Sequence, residues 1–336
     1  MLTHYVTVDG QNRRVAEQRY DKVSGPLLRW AGGKRRLLPE IMNALPEGFL
    51  EGKGSYYEPF FGAGAVGIEL IRREGLKFAK RMQINDINPD LINLYRTLAS
   101  SSGSFELFLA AYEAHIATHL KKRECGEHCH GEERKKCPRN THFNSIRELE
   151  PPLNSPERAA WFLFLNRTCF NGLYRVNKSG GFNVPYGHLV KPKFFTTEDL
   201  LAYGEIFSSI KAITLGDFTE VTRKAKSGDF VYFDPPYFAM SETSNHTAYH
   251  QDGFGDDQQA LLADEISRLI NVGAFVLASN SDTDATTKLY KTTALIPNKV
   301  AVRRSISANA ESRGEVSEYL GSSYAITPLG QPQFDL

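Results

Sequence analysis

The sequence predicts an α/β fold, a doubly wound sheet interrupted by an inserted module, and three observations lead there. Residues 55–98 alternate strand-like apolar runs with helical periods, the rhythm of parallel βαβ units. That rhythm breaks between about 100 and 200 and resumes from about 205. Two further apolar runs near the end read as a closing antiparallel pair.

Taken in order, residues 1–23 are polar without a clear period and read as a loose N-terminal arm. Residues 26–45 (PLLRWAGGKRRLLPEIMNAL) give a short apolar stretch, a glycine pair and an amphipathic helix. Residues 55–73 (SYYEPFFGAGAVGIELIRR) read as strand, glycine turn and helix. Residues 81–98 repeat the pattern, and Asn88-Pro89-Asp90 opens the helix because Pro is tolerated in a first turn. Within the interruption, 119–147 is charged and bears Cys and His, and 157–167 (ERAAWFLFLNR) is a helix. Residues 169–187 are rich in turns, with a hairpin turn over 177–181 between two short strands. Strands follow at 212–218, 228–237 and 273–280, with a helix at 256–270. The division expected is an arm (1–23), a catalytic unit (24–100 with 205–336) and an inserted unit (101–204).

Composition narrows the function classes. A chain of 336 residues with 41% hydrophobic and 24% charged residues is a soluble globular protein with a sizeable core. Its net charge of +1 means that any basic surface comes from local clustering. No apolar run approaches the ~18 residues of a membrane span, and residues 1–20 lack the apolar stretch of a secretory signal. Four cysteines are too few for a disulfide scaffold, which points to a reducing cytoplasm.

Gly62, Gly64 and Gly67 spell G-x-G-x-x-G after a strand, and Asp86 follows at about the ~20-residue distance of a dinucleotide fingerprint. Small residues let a backbone approach a ligand, and a carboxylate at the next strand end can hold a ribose diol. S-adenosylmethionine has the ribose without the pyrophosphate, so the loop alone suits either cofactor. Asp234-Pro235-Pro236-Tyr237, at the end of the apolar run 230–233, is more selective. Two prolines stiffen the turn and bar further sheet pairing. They hold together an acceptor-only carboxylate, a rigid carbonyl and an aromatic face, which is what the weakly nucleophilic exocyclic amine of adenine needs. Asp234 and the Pro235 carbonyl can each accept one N–H, and Tyr237 can stack on a base flipped from the duplex.

The ordered set Trp30-Ala31-Gly32-Gly33-Lys34, Glu58-Pro59-Phe60-Phe61-Gly62-Ala63-Gly64, Asp86 and Asp234-Pro235-Pro236-Tyr237 resembles the Dam-type DNA adenine-N6 methyltransferases, the alpha group of the D12 class. The resemblance runs from about 24 to 325 and includes Asn166-Arg167, Phe170-Asn171-Gly172, Arg175, 182–185 and 303–307. It implies a Rossmann-like S-adenosylmethionine-dependent methyltransferase sheet with an inserted target-recognition domain. It also implies methyl transfer to a flipped adenine in double-stranded DNA, with GATC or a related site as target. Catalysis falls to Asp234, Pro235, Pro236 and Tyr237. Cofactor contacts carry over to Trp30, Lys34, Glu58, Phe60, Gly62, Gly64, Asp86 and Asp234, with Asp217-Phe218 as the pair that receives the cofactor's adenine.

Segment 166–187 interleaves Arg167, Arg175 and Lys178 with Phe170, Tyr174, Phe182 and Tyr186 and adds four asparagines. Arg reads guanine and Asn reads adenine in the major groove, and the resemblance puts Phe170, Asn171 and Arg175 at recognition positions. Arg303 and Arg304 are expected to grip phosphates. Ser241–Gly255 is a possible lid or a connecting stretch. Cys125, Cys129, Cys137 and His142, spaced C-x3-C-x7-C-x4-H, form a candidate structural zinc set that the resemblance does not supply. The expected partner is double-stranded DNA, acted on by a monomer in the cytoplasm at the nucleoid. A nicotinamide oxidoreductase, a non-catalytic DNA binder and a cytosine-N4 methyltransferase remain the rival readings, and restriction–modification, repair marking and phage carriage stay open as roles.

Overall fold

The computed structural model describes residues 4–8, 11–15, 19–101, 103–122, 133, 136–237, 254–303 and 315–326. Strands β1 (His4–Val8) and β2 (Gln11–Val15) pair antiparallel as a separate two-stranded sheet, so part of the supposed loose arm is a hairpin. The β2 sequence QNRRV has no apolar alternation to advertise it.

The first half of the main domain runs α1 (Leu38–Asn43), β3 (Tyr56–Glu58), α2 (Ala65–Glu74), α3 (Leu76–Ala79), β4 (Met82–Asp86) and α4 (Pro89–Ala99). Asn88 caps α4, its Oδ1 accepting from the amides of Asp90 and Leu91, with Pro89 at the first helical position as expected. Among the described residues, α5 (Ser104–Lys121), α6 (Pro138–Arg147), α7 (Pro156–Thr168) and α8 (Thr197–Ser209) follow. The sheet then resumes with β5 (Ala212–Leu215), α9 (Phe218–Thr222), β6 (Phe230–Phe233), α10 (Asp256–Asn271), β7 (Phe275–Ser281), α11 (Asp284–Tyr290), β8 (Ile296–Arg303) and β9 (Glu315–Ser322).

The seven main strands lie in the order β5-β4-β3-β6-β7-β9-β8. β5 through β7 are parallel, and β9 runs antiparallel between β7 and β8. The Rossmann-like α/β sheet is therefore present, closed by the antiparallel pair. Every residue of β6 (FVYF) is buried, the continuous apolar run of a strand covered on both faces. From β3 the chain winds outward through β4 and β5, whereas β6 and β7 build the other side. The direction of winding thus reverses between β3 and β6, in register at Tyr56–Phe230 and Tyr57–Val231. Open α/β sheets bind ligands beyond the strand ends at such a reversal.

The interrupting helices do not form a separate core. One apolar cluster runs from Leu27 and Val66 through Tyr95 and Phe108 to Trp161 and Phe207. α7 is apolar nearly all round and buried accordingly, as a central helix should be. Arg158, at its start, binds the buried Asp90 of α4 through both carboxylate oxygens, at 2.7 and 3.2 Å. The turn over 177–181 is present, with the Asn177 amide donating to the Gly181 carbonyl at 2.9 Å. Its flanks are isolated bridges, Val176–Phe182 and Cys169–Tyr186, rather than the two short strands expected. The reason is packing: Phe182 and Tyr186 are buried against the helices and Tyr174 is turned against Trp30 and Phe162.

The zinc set is only partly described. Cys125 and Cys129 lie outside the described residues. Cys137, buried at the N-cap of α6, is disulfide-bonded, and His142 Nδ1 lies 3.3 Å from His119 Nδ1. Among the described residues, no three His, Cys, Asp or Glu are grouped to hold a metal ion.

Candidate active site

The glycine turn after β3 is built by backbone conformation. Gly62 (φ 48°) and Gly64 (φ 73°) are left-handed, where a side chain is strained. Gly67 serves a different end: a Cβ there would come within 2.7 Å of Glu58 Oε2 and 2.8 Å of Met82 Cε, so its lack of a side chain lets α2 press onto β3 and β4. Asp86, ending β4, accepts from the Gly62 amide at 2.8 Å through Oδ2 and from the Asn88 amide at 2.9 Å through Oδ1. Burial pushes its carboxyl up to about 6 against these hydrogen bonds. The Gly64 amide is held by the Phe61 carbonyl at 2.7 Å. Both of these glycine amides are turned to protein oxygens rather than to a ligand, which counts against the nicotinamide reading.

β6 delivers Asp234 beside that turn. Asp234 Oδ1 receives Lys34 Nζ at 2.8 Å and the Ser279 hydroxyl at 3.0 Å. Lys34, buried to 7% exposure, also donates to the Gly32 carbonyl at 3.0 Å and lies 4.3 Å from the Tyr237 ring centroid. Burial raises the Asp234 pKa, while the Lys34 charge, the Lys34 hydrogen bond and that of Ser279 lower it. The Lys34 placement is more pointed than a basic helix face, because it joins the glycine-pair segment directly to the Asp-Pro-Pro-Tyr turn.

All thirteen sequence-selected residues for cofactor and catalysis line one cavity of about 1030 Å³. Trp30 sits against Gly62. Phe60 and Phe218 meet at 5.2 Å between centroids, with Phe254 closing on both at 5.6 and 6.2 Å. Asp217 caps α9, its Oδ1 accepting from the Thr219 amide and hydroxyl. Glu58 is almost fully buried and accepts from the Tyr56 hydroxyl at 2.9 Å; burial holds its carboxyl well above the usual range. Four acidic side chains (Glu58, Asp86, Asp217 and Asp234) and aromatic walls suit a cationic sulfonium that carries ribose hydroxyls and an adenine.

Of the DNA-directed residues, Asn171 lines the mouth of the cavity in a left-handed conformation (φ 54°), which Asn tolerates better than most residues. Phe170 is 50% exposed, and exposed Arg175 donates to the Asn183 carbonyl at 2.8 Å. The Arg303 side chain, Arg304 and most of Ser241–Gly255 lie outside the described residues.

Sequence reasoning missed several positioning groups. Asn85 donates to the Pro59 and Gly216 carbonyls, tying the ends of β3 and β5 to β4. Asn166, counted in sequence among the DNA-reading asparagines, is instead buried and grips both backbone groups of Arg29, holding the Trp30 segment against α7. The Tyr232 hydroxyl hydrogen-bonds Ser279, and Gln259 donates to the Pro236 carbonyl at 3.1 Å. Phe254 carried one signal, an isolated aromatic in a polar stretch.

The chain matches the family model of the D12 class N6 adenine-specific DNA methyltransferases over residues 30–304. It is 35% identical to the type II methyltransferase M1.LlaDCHI of Lactococcus lactis subsp. cremoris, over 89% of this chain and 95% of that relative. It is 35% identical to the DNA adenine methylase of Vibrio cholerae over 87% of this chain and 94% of the relative. Against the DNA adenine methylase of Escherichia coli K12 the identity is 34% over 89% and 95%. With the glycine turn and the Asp-Pro-Pro-Tyr turn meeting in one cavity, the chain belongs to the D12 class N6 adenine-specific DNA methyltransferases, which methylate adenine in DNA with S-adenosylmethionine as donor.

Proposed function

We propose that the cavity between β3 and β6 holds both S-adenosylmethionine and a target adenine flipped out of double-stranded DNA. The observation that carries this is the 2.8 Å contact of Lys34 with Asp234, which brings the two turns together in one site. S-adenosylmethionine supplies an electrophilic methyl group on a sulfonium sulfur. Asp86 holds the ribose hydroxyls, Asp217 and Phe218 receive the adenine of the donor, and Trp30, Glu58, Phe60, Gly62 and Gly64 shape the walls. With Asp234 Oδ1 engaged by Lys34 and Ser279, Oδ2 accepts one N–H of the target amine and the Pro235 carbonyl accepts the other. That pairing favours a pyramidal nitrogen whose lone pair leaves conjugation. The Asp234 carboxylate opposes the positive charge that would develop on N6 as the methyl–sulfur bond breaks and a neutral thioether leaves, and the surplus N6 proton would then pass to water. Tyr237 stacks on the extruded base.

Residues 101–204 serve as the target-recognition unit, with Phe170, Asn171 and Arg175 facing base edges and Arg303 and Arg304 the phosphates. A GATC-type target follows from the resemblance of these positions. The enzyme acts as a monomer at the nucleoid; no helix among the described residues is long and apolar enough to cross a membrane. For the reduced protein, the C-x3-C-x7-C-x4-H spacing supports a structural zinc ion on Cys125, Cys129, Cys137 and His142. Cys137 and His142 are both buried on α6, as ligands of such a site would be, and the disulfide at Cys137 is the competing oxidised state.

The test of the central reading is Asp234→Ala. Methylation of duplex DNA, followed with labelled donor, should fall by ~10²-fold or more, while duplex binding stays within a few-fold of wild type. Near-normal turnover would refute the catalytic assignment.

A further inference from the structure

Tyr237 is held at the far end of its ring. Its hydroxyl donates to Glu318 Oε2 at 2.7 Å, across 81 positions of sequence. Burial, with Asp234 and Glu318 nearby, pushes the phenol pKa up, so the hydroxyl remains a donor and needs an acceptor. Glu318 is well placed to be a fixed one. It lies on β9, an interior strand of the sheet, and is paired with Ser281 on one side and Val300 on the other. Because β9 runs antiparallel to β7, Glu318 arrives at the end of the sheet where β6 delivers Asp234 and Tyr237. The ring is thus constrained twice, at its hydroxyl by Glu318 and against its π-system by Lys34.

A stacking surface stabilises a flipped base only if its plane is set before the base arrives. A phenyl ring on a loop turns about two torsions. An anchor on the para oxygen, which lies on the Cβ–Cγ axis, fixes the first. Because a phenolic O–H prefers the ring plane, a fixed acceptor direction together with Lys34 on one face sets the second. We propose that Glu318 is a positioning residue for base capture, accepting from the Tyr237 hydroxyl and fixing the plane of the ring on which the target base stacks. The proposal rests on the reading of Tyr237 as that stacking surface.

The experiment uses the full chain with S-adenosylmethionine and a duplex carrying 2-aminopurine at the target position, whose emission reports stacking of the extruded base. Single-turnover methylation of the unmodified duplex is measured alongside. Glu318→Ala should lower the methylation rate constant about tenfold, with KM for DNA within about twofold, and should change the 2-aminopurine emission. Glu318→Gln keeps an acceptor oxygen and should restore both readouts. Tyr237→Phe removes the other half of the contact, should reproduce Glu318→Ala, and should add nothing when combined with it. A Glu318→Ala enzyme with wild-type rate and emission overturns the proposal, as does a full additive loss in the double variant. Tyr237→Ala separates the two levels. If it too leaves emission and rate unchanged, the stacking reading itself fails; if it is defective while Glu318→Ala is normal, only the role of Glu318 fails.

Discussion

Burial raises the pKa of Asp234, and the Lys34 ammonium at 2.8 Å and the Ser279 hydroxyl at 3.0 Å draw it back. The ionised form is the one that accepts from an amine, so removing the lysine charge should move the acid limb of activity to higher pH. Lys34→Met is the variant, and single-turnover methylation against pH is the measurement; an unmoved acid limb would show that the lysine does not hold the carboxylate ionised. Asp86 gives a second pH dependence. Burial lifts its folded pKa to about 6, above the ordinary 3.8 of an aspartate. A raised carboxyl favours folding below about 3.8, and that contribution is lost as pH rises through about 6. Binding of ribose hydroxyls by the carboxylate has the opposite requirement, so affinity for S-adenosylmethionine should weaken as pH falls through about 6, approaching tenfold per unit. Titration calorimetry on wild type and Asp86→Asn tests this, because the asparagine variant should bind weakly without that pH step.

The element proposed to read DNA, residues 166–187, is held by isolated bridges rather than built as a regular hairpin. Its aromatic residues were all candidates for DNA contact in sequence, yet Phe182 and Tyr186 are buried and Tyr174 donates to Asp90 at 2.9 Å. Phe170, Asn171 and Arg175 are exposed, as are Asn177, Lys178 and Asn183. Arg175→Ala should lose ~1–3 kcal/mol of discrimination between cognate and altered sites. Asn171→Gly should do the same while keeping the left-handed backbone; competition binding with single-base variants of the site decides, and an unchanged cognate preference in both variants would remove them from readout. The neighbouring helix α6 carries the metal question. Protein prepared without a histidine tag under reducing conditions should hold one zinc by elemental analysis, and a Cys129→Ser, Cys137→Ser double variant should hold none. Sub-stoichiometric zinc in the wild type ends that assignment.

At the scale of the whole molecule, the inserted helices and the sheet share a boundary that is charged as well as apolar, so they are expected to unfold together. Asp90, 1% exposed, receives Arg158 twice and the Tyr174 hydroxyl once. It joins α4, which starts three residues after Asp86, to α7 and to segment 166–187. Asp90→Ala strands the Arg158 guanidinium in the interior and should destabilise the protein by about 3–5 kcal/mol. Denaturant unfolding should show that loss in a single transition for sheet and helices; two separated transitions would mean that the insert folds independently.

The sequence by itself determined the α/β rhythm, the strand ends that bear Asp86 and Asp234, and the residues of the cavity, because these depend on local period and on motifs whose spacing is short. Pro89 and Asn88 announced α4, and the Phe230–Phe233 run announced a strand buried on both faces. The long α5 went unread, and so did the β1–β2 hairpin, where one strand is polar. Which aromatic side chains stay exposed and which face the core was decided only by tertiary packing, since Tyr174 and Phe170 look alike in sequence and differ in what lies opposite them. The same holds for Ser279, Gln259 and Glu318, which reach the Asp-Pro-Pro-Tyr turn from β7, α10 and β9. Their partners are 23 to 81 positions away, and no local pattern encodes a hydrogen bond that exists only after the sheet has brought its strand ends together.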